Sequence, residues 1–280
     1  MKLLLTLMAL ALGCTQLAAA ATTRDMAYGS DPRQRLDVYA PDDAHSAPVI
    51  VMVHGGGWHR GDKAARGVVS NKADRWLPRG LIVVSVNYRM RPDADPLQQA
   101  NDVARALAFV QSHATTWGGE ATKIILMGHS AGAHLVALLT AEPALAQRAG
   151  TAPWLGTVSI DSGAINVPAI MQRRHLPLYD TAFGADPRFW KAVSPLHVLS
   201  PQALPLLAIC STVRPDHPCI EAHAYARKAA VMGVRAEVLE QPLDHMHINR
   251  ELGMDSQYTR AVEQFMASLD ATVAARLSAR

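Results

Sequence analysis

Cysteine is scarce in this chain, with three among 280 residues. That number excludes a disulfide-dense small scaffold, and the cysteines lack the paired spacing of a structural zinc site. The nearest approach to a metal-ligand cluster is His245 and His247 beside Asp244, which lacks the helical His-Glu-x-x-His spacing, so no metal is expected. An excess of one charge is also missing: 27 Lys and Arg face 24 Asp and Glu, a formal net charge of +3. The arginines are scattered and form no basic stripe with interleaved aromatics, which argues against a nucleic-acid partner. No internal repeat or long low-complexity segment is present, and the length suits a single α/β domain with decorated loops over residues 21–280.

Long apolar runs are absent except at the start, where Met1-Lys2 precedes the run Leu3 to Leu12 and small residues follow at Ala18-Ala19-Ala20. A positive start, an apolar stretch too short to span a bilayer comfortably and a small-x-small end describe a secretory signal peptide, residues 1–20. The expected product is secreted or periplasmic and has no membrane span. An alternative reads Leu10 to Cys14 as a lipoprotein signal with Cys14 acylated.

The rest of the chain is punctuated by short runs rich in branched residues, at Val49 to Val53, Leu81 to Val86, Ile124 to Met127, Leu155 to Ile160, Leu204 to Ile209 and Val234 to Leu239. These read as buried parallel strands. Between the second and third, Ala100, Val103, Ala104, Leu107 and Val110 recur at helical spacing in Leu97 to His113. Strand and helix therefore alternate as in a mostly parallel, doubly wound α/β sheet, which places functional groups on loops beyond the strands' C-terminal ends. Residues 162–200 break the alternation with Pro168, Pro177, Pro187 and Pro195 and with Tyr179, Phe183, Phe189 and Trp190 between them. That segment reads as a lid-like insertion, the plainer alternative being a surface excursion whose aromatics pack onto the body.

Gly128-His129-Ser130-Ala131-Gly132 follows the run Ile124 to Met127 and opens the helix-like stretch Ala133 to Leu139. Strand, sharp turn and helix are the setting of a nucleophile elbow, which makes Ser130 the leading nucleophile. Upstream, His54-Gly55-Gly56-Gly57-Trp58 directly follows the run Pro48 to Val53. Consecutive glycines let a loop turn its N–H groups toward one point, where they can stabilise the oxyanion formed in acyl transfer.

With these two motifs, and with Asn87-Tyr88-Arg89 after a third strand, the chain resembles an α/β-hydrolase of the hormone-sensitive-lipase-like carboxylesterase group from about Gln34 to the C-terminal helix. The resemblance implies an oxyanion hole built by Gly56, Gly57 and Ala131, with His54 ordering its loop. It also implies that acid and base follow Ser130 in the chain. The loop after Leu204 to Ile209 holds Asp216, which has the position of the acid; Asp161, directly after Ile160, is its rival. His245 and His247 compete for the base on one short loop, and the group's His-x-x-Ile pattern, matched by His245 and Ile248, favours His245. Asp244 is a poor candidate for the acid, because adjacent side chains diverge in extended backbone.

With Cys14 in the leader, Cys210 and Cys219 form an even pair bracketing Asp216, and an oxidising compartment favours a disulfide between them over two separate thiols. The expectation is a secreted serine hydrolase that needs no cofactor and acts on a small-molecule ester. Within the same chemistry an arylformamidase or a polysaccharide-decorating acyl esterase stays open, and from another class a non-catalytic binding protein on the same scaffold.

Overall fold

The computed structural model describes residues 20–278. The expected leader, with the alternative acylation site at Cys14, lies outside the described residues apart from Ala20. Strands β1 (Ala20–Ala27), β2 (Arg35–Pro41), β3 (Ala47–Val53), β4 (Ile82–Val86), β5 (Gly119–His129), β6 (Gly156–Ile160), β7 (Leu206–Ser211) and β8 (Ala236–Gln241) form an eight-stranded sheet. Their order is β1-β2-β4-β3-β5-β6-β7-β8. The pairs β1/β2 and β2/β4 are antiparallel, and each neighbouring pair from β4 to β8 is parallel.

Period-two alternation explains why the central strands are apolar throughout. In β3, Val49, Val51 and Val53 face a layer that holds Val103 and Leu107 of helix α2 (Pro96–His113). Ile50 and Met52 of the same strand face Trp76, the last residue of helix α1 (Arg66–Trp76), on the opposite side. A strand covered on both faces can keep no polar side unless that side finds partners. Helix α2 starts where the sequence marks it: Asp95 accepts from the Gln98 N–H at 2.9 Å, the Gln98 side chain accepts from the Asp95 N–H at 2.9 Å, and Pro96 takes the first helical position.

After β5 come helices α3 (Ala131–Ala141) and α4 (Ala144–Gln147). The expected insertion, between β6 and β7, is a chain of short helices: α5 (Val167–Met171), α6 (Pro177–Phe183), α7 (Pro187–Ala192) and α8 (Pro195–Val198). Its prolines begin these helices, where a missing N–H leaves no hydrogen bond unmade. Tyr179 and Phe183 of α6 are buried against Trp58, with ring centroids 5.8 Å and 4.9 Å away. Helix α9 (Pro218–Val231) follows β7, and after β8 the chain ends in α10 (His247–Arg250), α11 (Gln257–Ala267) and α12 (Ala271–Ser278). Val262 and Phe265 of α11 and Val273 of α12 complete the core on the side of Ile50 and Met52. Among the described residues no helix is long and apolar enough to cross a membrane.

Candidate active site

The turn between β5 and α3 consists of Ser130 alone, held at φ 56° and ψ −117°. This is a sparsely populated conformation for a residue with a side chain, and it persists because the surrounding chain leaves no other path. A Cβ on Gly128 would lie 2.5 Å from the carbonyl oxygen of Gly132, and one on Gly132 would lie 2.4 Å from the carbonyl oxygens of Val53 and His54. The two flanking glycines are therefore demanded by close approach of strand, turn and helix. The Ser130 N–H donates to the carbonyl of Ile160 at 2.9 Å, tying the turn to the end of β6.

The glycine loop beside it leaves β3 with Gly56 at φ +126° and Gly57 at φ +62°. It lies so close to the turn that a Cβ on Gly55 would meet the Ser130 Cβ at 2.8 Å. His54 is buried at its base, with Nδ1 2.7 Å from the Gly55 carbonyl and its ring stacked 4.6 Å from that of Tyr88. Burial lowers its pKa, so it orders the loop as a neutral ring. The Tyr88 hydroxyl donates to the His54 carbonyl at 3.0 Å, and the neighbouring Arg89 makes a fork to buried Asp102 at 2.8 Å and 2.7 Å. The Asn-Tyr-Arg stretch thus forms the platform under the glycine loop. Ala131, at the start of α3, has an N–H with no intrahelical acceptor, as the first turn of any helix does.

His245, on the loop between β8 and α10, points Nε2 at Ser130 Oγ, 2.8 Å away, and Nδ1 at Asp161 Oδ2, 2.6 Å away. Its backbone is fixed by His129, whose Nε2–H donates to the His245 carbonyl at 2.8 Å. Burial pushes the pKa of His129 down to about 3, with the neighbouring His245 lowering it further, so the ring stays neutral and able to donate. Asp161 directly follows β6, and its side chain is fully buried. Burial alone would raise its pKa, but the His245 hydrogen bond, the Arg214 guanidinium and the Ser211 N–H together hold it below the usual carboxylate range. A hydroxyl, an imidazole and a charged carboxylate in line can pass a proton from oxygen to nitrogen and stabilise the cation that results.

The structure corrects the expected acid. Asp216 does not reach His245; Arg214, two residues earlier, takes both of its carboxylate oxygens, with Nε 2.9 Å from Oδ1. The carboxylate on the histidine is Asp161. The other histidine of the loop, His247, turns away and pairs with Asp244 at 2.6 Å on the exposed side. Sequence reasoning missed Arg214 altogether. Its signal was the spacing Arg214-Pro215-Asp216, which offers Asp216 a cation on its own turn, and a carboxylate satisfied locally is not free to serve an imidazole elsewhere.

The whole fold can be laid on solved structures. A truncated form of a carbohydrate esterase from gut microbiota superposes with a TM-score of 0.75 at 19% identity, covering 90% of this chain and 97% of that one. The chain has the α/β-hydrolase fold. A family model described as BD-FAE matches residues 36–153 of the chain, the part that carries the glycine loop and Ser130. Esterase LipQ of Mycobacterium tuberculosis is 30% identical over 222 residues, 74% of this chain and 52% of that protein. A probable isoprenylcysteine alpha-carbonyl methylesterase of rice, Oryza sativa subsp. japonica, is 36% identical over 128 residues, 45% of this chain. The match spans 30% of the rice protein, so the chain aligns with only part of its curated relatives. Cys210, near the end of β7, is bonded to Cys219 at the start of α9, with Cα atoms 5.2 Å apart. The closed loop holds both Arg214 and Asp216. By chain-entropy reasoning closing so short a loop contributes about 2 to 3 kcal/mol.

Proposed function

We propose that the protein is an exported serine esterase that cleaves small carboxylic esters through an acyl-Ser130 intermediate. The line from Ser130 Oγ through His245 to Asp161, with contacts of 2.8 Å and 2.6 Å, carries this reading. Ser130 Oγ attacks the acyl carbon while His245 Nε2 takes its proton, and the carbonyl π electrons move onto oxygen. The N–H groups of Gly56, Gly57 and Ala131 receive that charge. When the intermediate collapses, the C–O bond to the alcohol breaks and the leaving oxygen takes the proton from Nε2. Water, deprotonated by His245, then attacks the acyl-enzyme; the carboxylic acid leaves and Ser130 regains its proton.

Small substrates fit the packing around Trp58. This residue follows the glycines, is 4% exposed and is enclosed by His134, Tyr179 and Phe183, so side chains already fill the volume behind the loop. The insertion that supplies Tyr179 and Phe183 would then act as a lid that limits acyl length and excludes water. The names of the relatives, esterases and a methylesterase, support an ester as the bond cleaved. Export is supported by the signal-like start and by a disulfide, which persists in oxidising compartments.

Purified protein assayed with p-nitrophenyl esters of graded acyl length, a feruloyl ester, an acetylated sugar and an N-formyl aromatic amine tests the reading. Acetate or butyrate esters are expected to turn over fastest, with stoichiometric labelling by a fluorophosphonate. Faster cleavage of the formamide than of every ester would make the protein an arylformamidase. No turnover and no labelling would leave a binding protein on a hydrolase scaffold.

A further inference from the structure

Arg214 is the charged group of the site that the proton-transfer scheme above leaves without a task. Its Nη1 lies 2.8 Å from Asp161 Oδ2, 3.0 Å from the Asp161 backbone carbonyl and 3.0 Å from His245 Nδ1. With Nδ1 protonated, as the reaction requires, two N–H donors converge on one oxygen of Asp161, while the Ser211 N–H holds the other at 2.9 Å. On its far side Arg214 is clamped by Asp216, and its loop is closed by the Cys210–Cys219 bridge. A side chain at Gly163 would meet the Tyr179 hydroxyl at 2.9 Å and Arg214 Nη2 and Asp216 Oδ2 at 3.2 Å, so the segment after the acid, the insertion and this arginine crowd one point.

We propose that Arg214 is a positioning residue of the reaction: it aims the Asp161 carboxylate at His245. This rests on the esterase reading above. A guanidinium fork makes several directed bonds at once and does not lose its proton, which suits it to joining two carboxylates beside the imidazole. The same cation opposes protonation of Asp161 and so keeps the acid charged.

The other titratable groups around the pair do not reverse this. His129 is held neutral by burial, and burial raises the pKa values of Tyr179 and Tyr258, so none of the three is charged at acid pH. Lys72, buried behind His129 with its Nζ bonded to Asn249, has a pKa lowered by burial to about 7 and stays cationic through the acid range. Asp216 lies beyond Arg214, and Asp244 pairs with His247.

The test is the measurement of kcat and KM for a short-chain ester in wild type, Arg214→Met and Arg214→Lys. Arg214→Met is expected to lose about a hundredfold in kcat with KM little changed, as misaligned catalytic groups do. Arg214→Lys, which keeps the charge and loses the fork, is also expected to lose kcat with KM little changed. A folded Arg214→Met with wild-type kcat overturns the proposal. Should that variant not fold, wild-type kcat in Arg214→Lys overturns it as well. Absence of turnover and labelling in the wild type would instead sink the esterase reading itself, so the two failures are separable.

Discussion

Replacing Ser130 by alanine is expected to lower ester turnover on the order of 10⁶-fold, since the members of such a unit act together and removing the nucleophile removes the acyl-enzyme route. Fluorophosphonate labelling should vanish with it. The substitution deletes one oxygen and leaves the backbone conformation that Gly128 and Gly132 permit, so circular dichroism and the unfolding midpoint should stay near wild type. Turnover that survives at a tenth of the wild-type rate would place the nucleophile elsewhere.

The second large effect separates the two aspartates. Asp161→Asn should cost about 10⁴-fold in kcat, because an amide cannot hold Nδ1–H with a full charge and can impose the wrong tautomer on the imidazole. Asp216→Asn should leave kcat within about tenfold, as asparagine still accepts a bond from Arg214, whose ion pair with Asp161 at 2.8 Å is untouched. Kinetics on the two single variants decide the matter. The reverse ranking would return the acid to the loop after β7 and make the arrangement at Asp161 structural.

Much of this was legible in the chain. The runs that became β3 to β7 are apolar because both faces of those strands are covered, and such runs announce themselves. The run Val234 to Leu239, expected as a buried strand, became the edge strand β8, which is part-exposed with Glu237 and Glu240 open to solvent. The antiparallel strands β1 and β2 did not. In β2, Leu36 and Val38 face the core while Asp37 between them is buried and bonded to Lys63 at 2.8 Å. A strand that buries a charge against a partner on another element shows neither an apolar run nor a clean alternation. The elbow and the glycine loop were readable because backbone geometry demands particular residues there, and His245 separated from His247 only once the resemblance was weighed. The acid was not readable by position alone. Asp161 and Asp216 each follow a strand, and what distinguishes them is Arg214, whose fork joins three loops that are distant in sequence.

The neutral histidines around Ser130 couple stability to acid. His129 and His134 are fully buried, and burial lowers their pKa values to about 3 and about 4. The unfolded chain protonates the same rings near pH 6.5. Below that pH the unfolded state therefore binds protons that the folded state refuses, and the sign is unfavourable to folding: each ring withdraws about 1.4 kcal/mol of stability per pH unit until its folded pKa is reached. Urea unfolding midpoints should fall steeply between pH 6.5 and pH 4.5 in wild type, and less steeply in a folded His134→Gln variant; equal slopes would show that the buried ring is not neutral. The residues that shape the nucleophile's turn thus set an acid limit on the fold itself, apart from any limit on the chemistry.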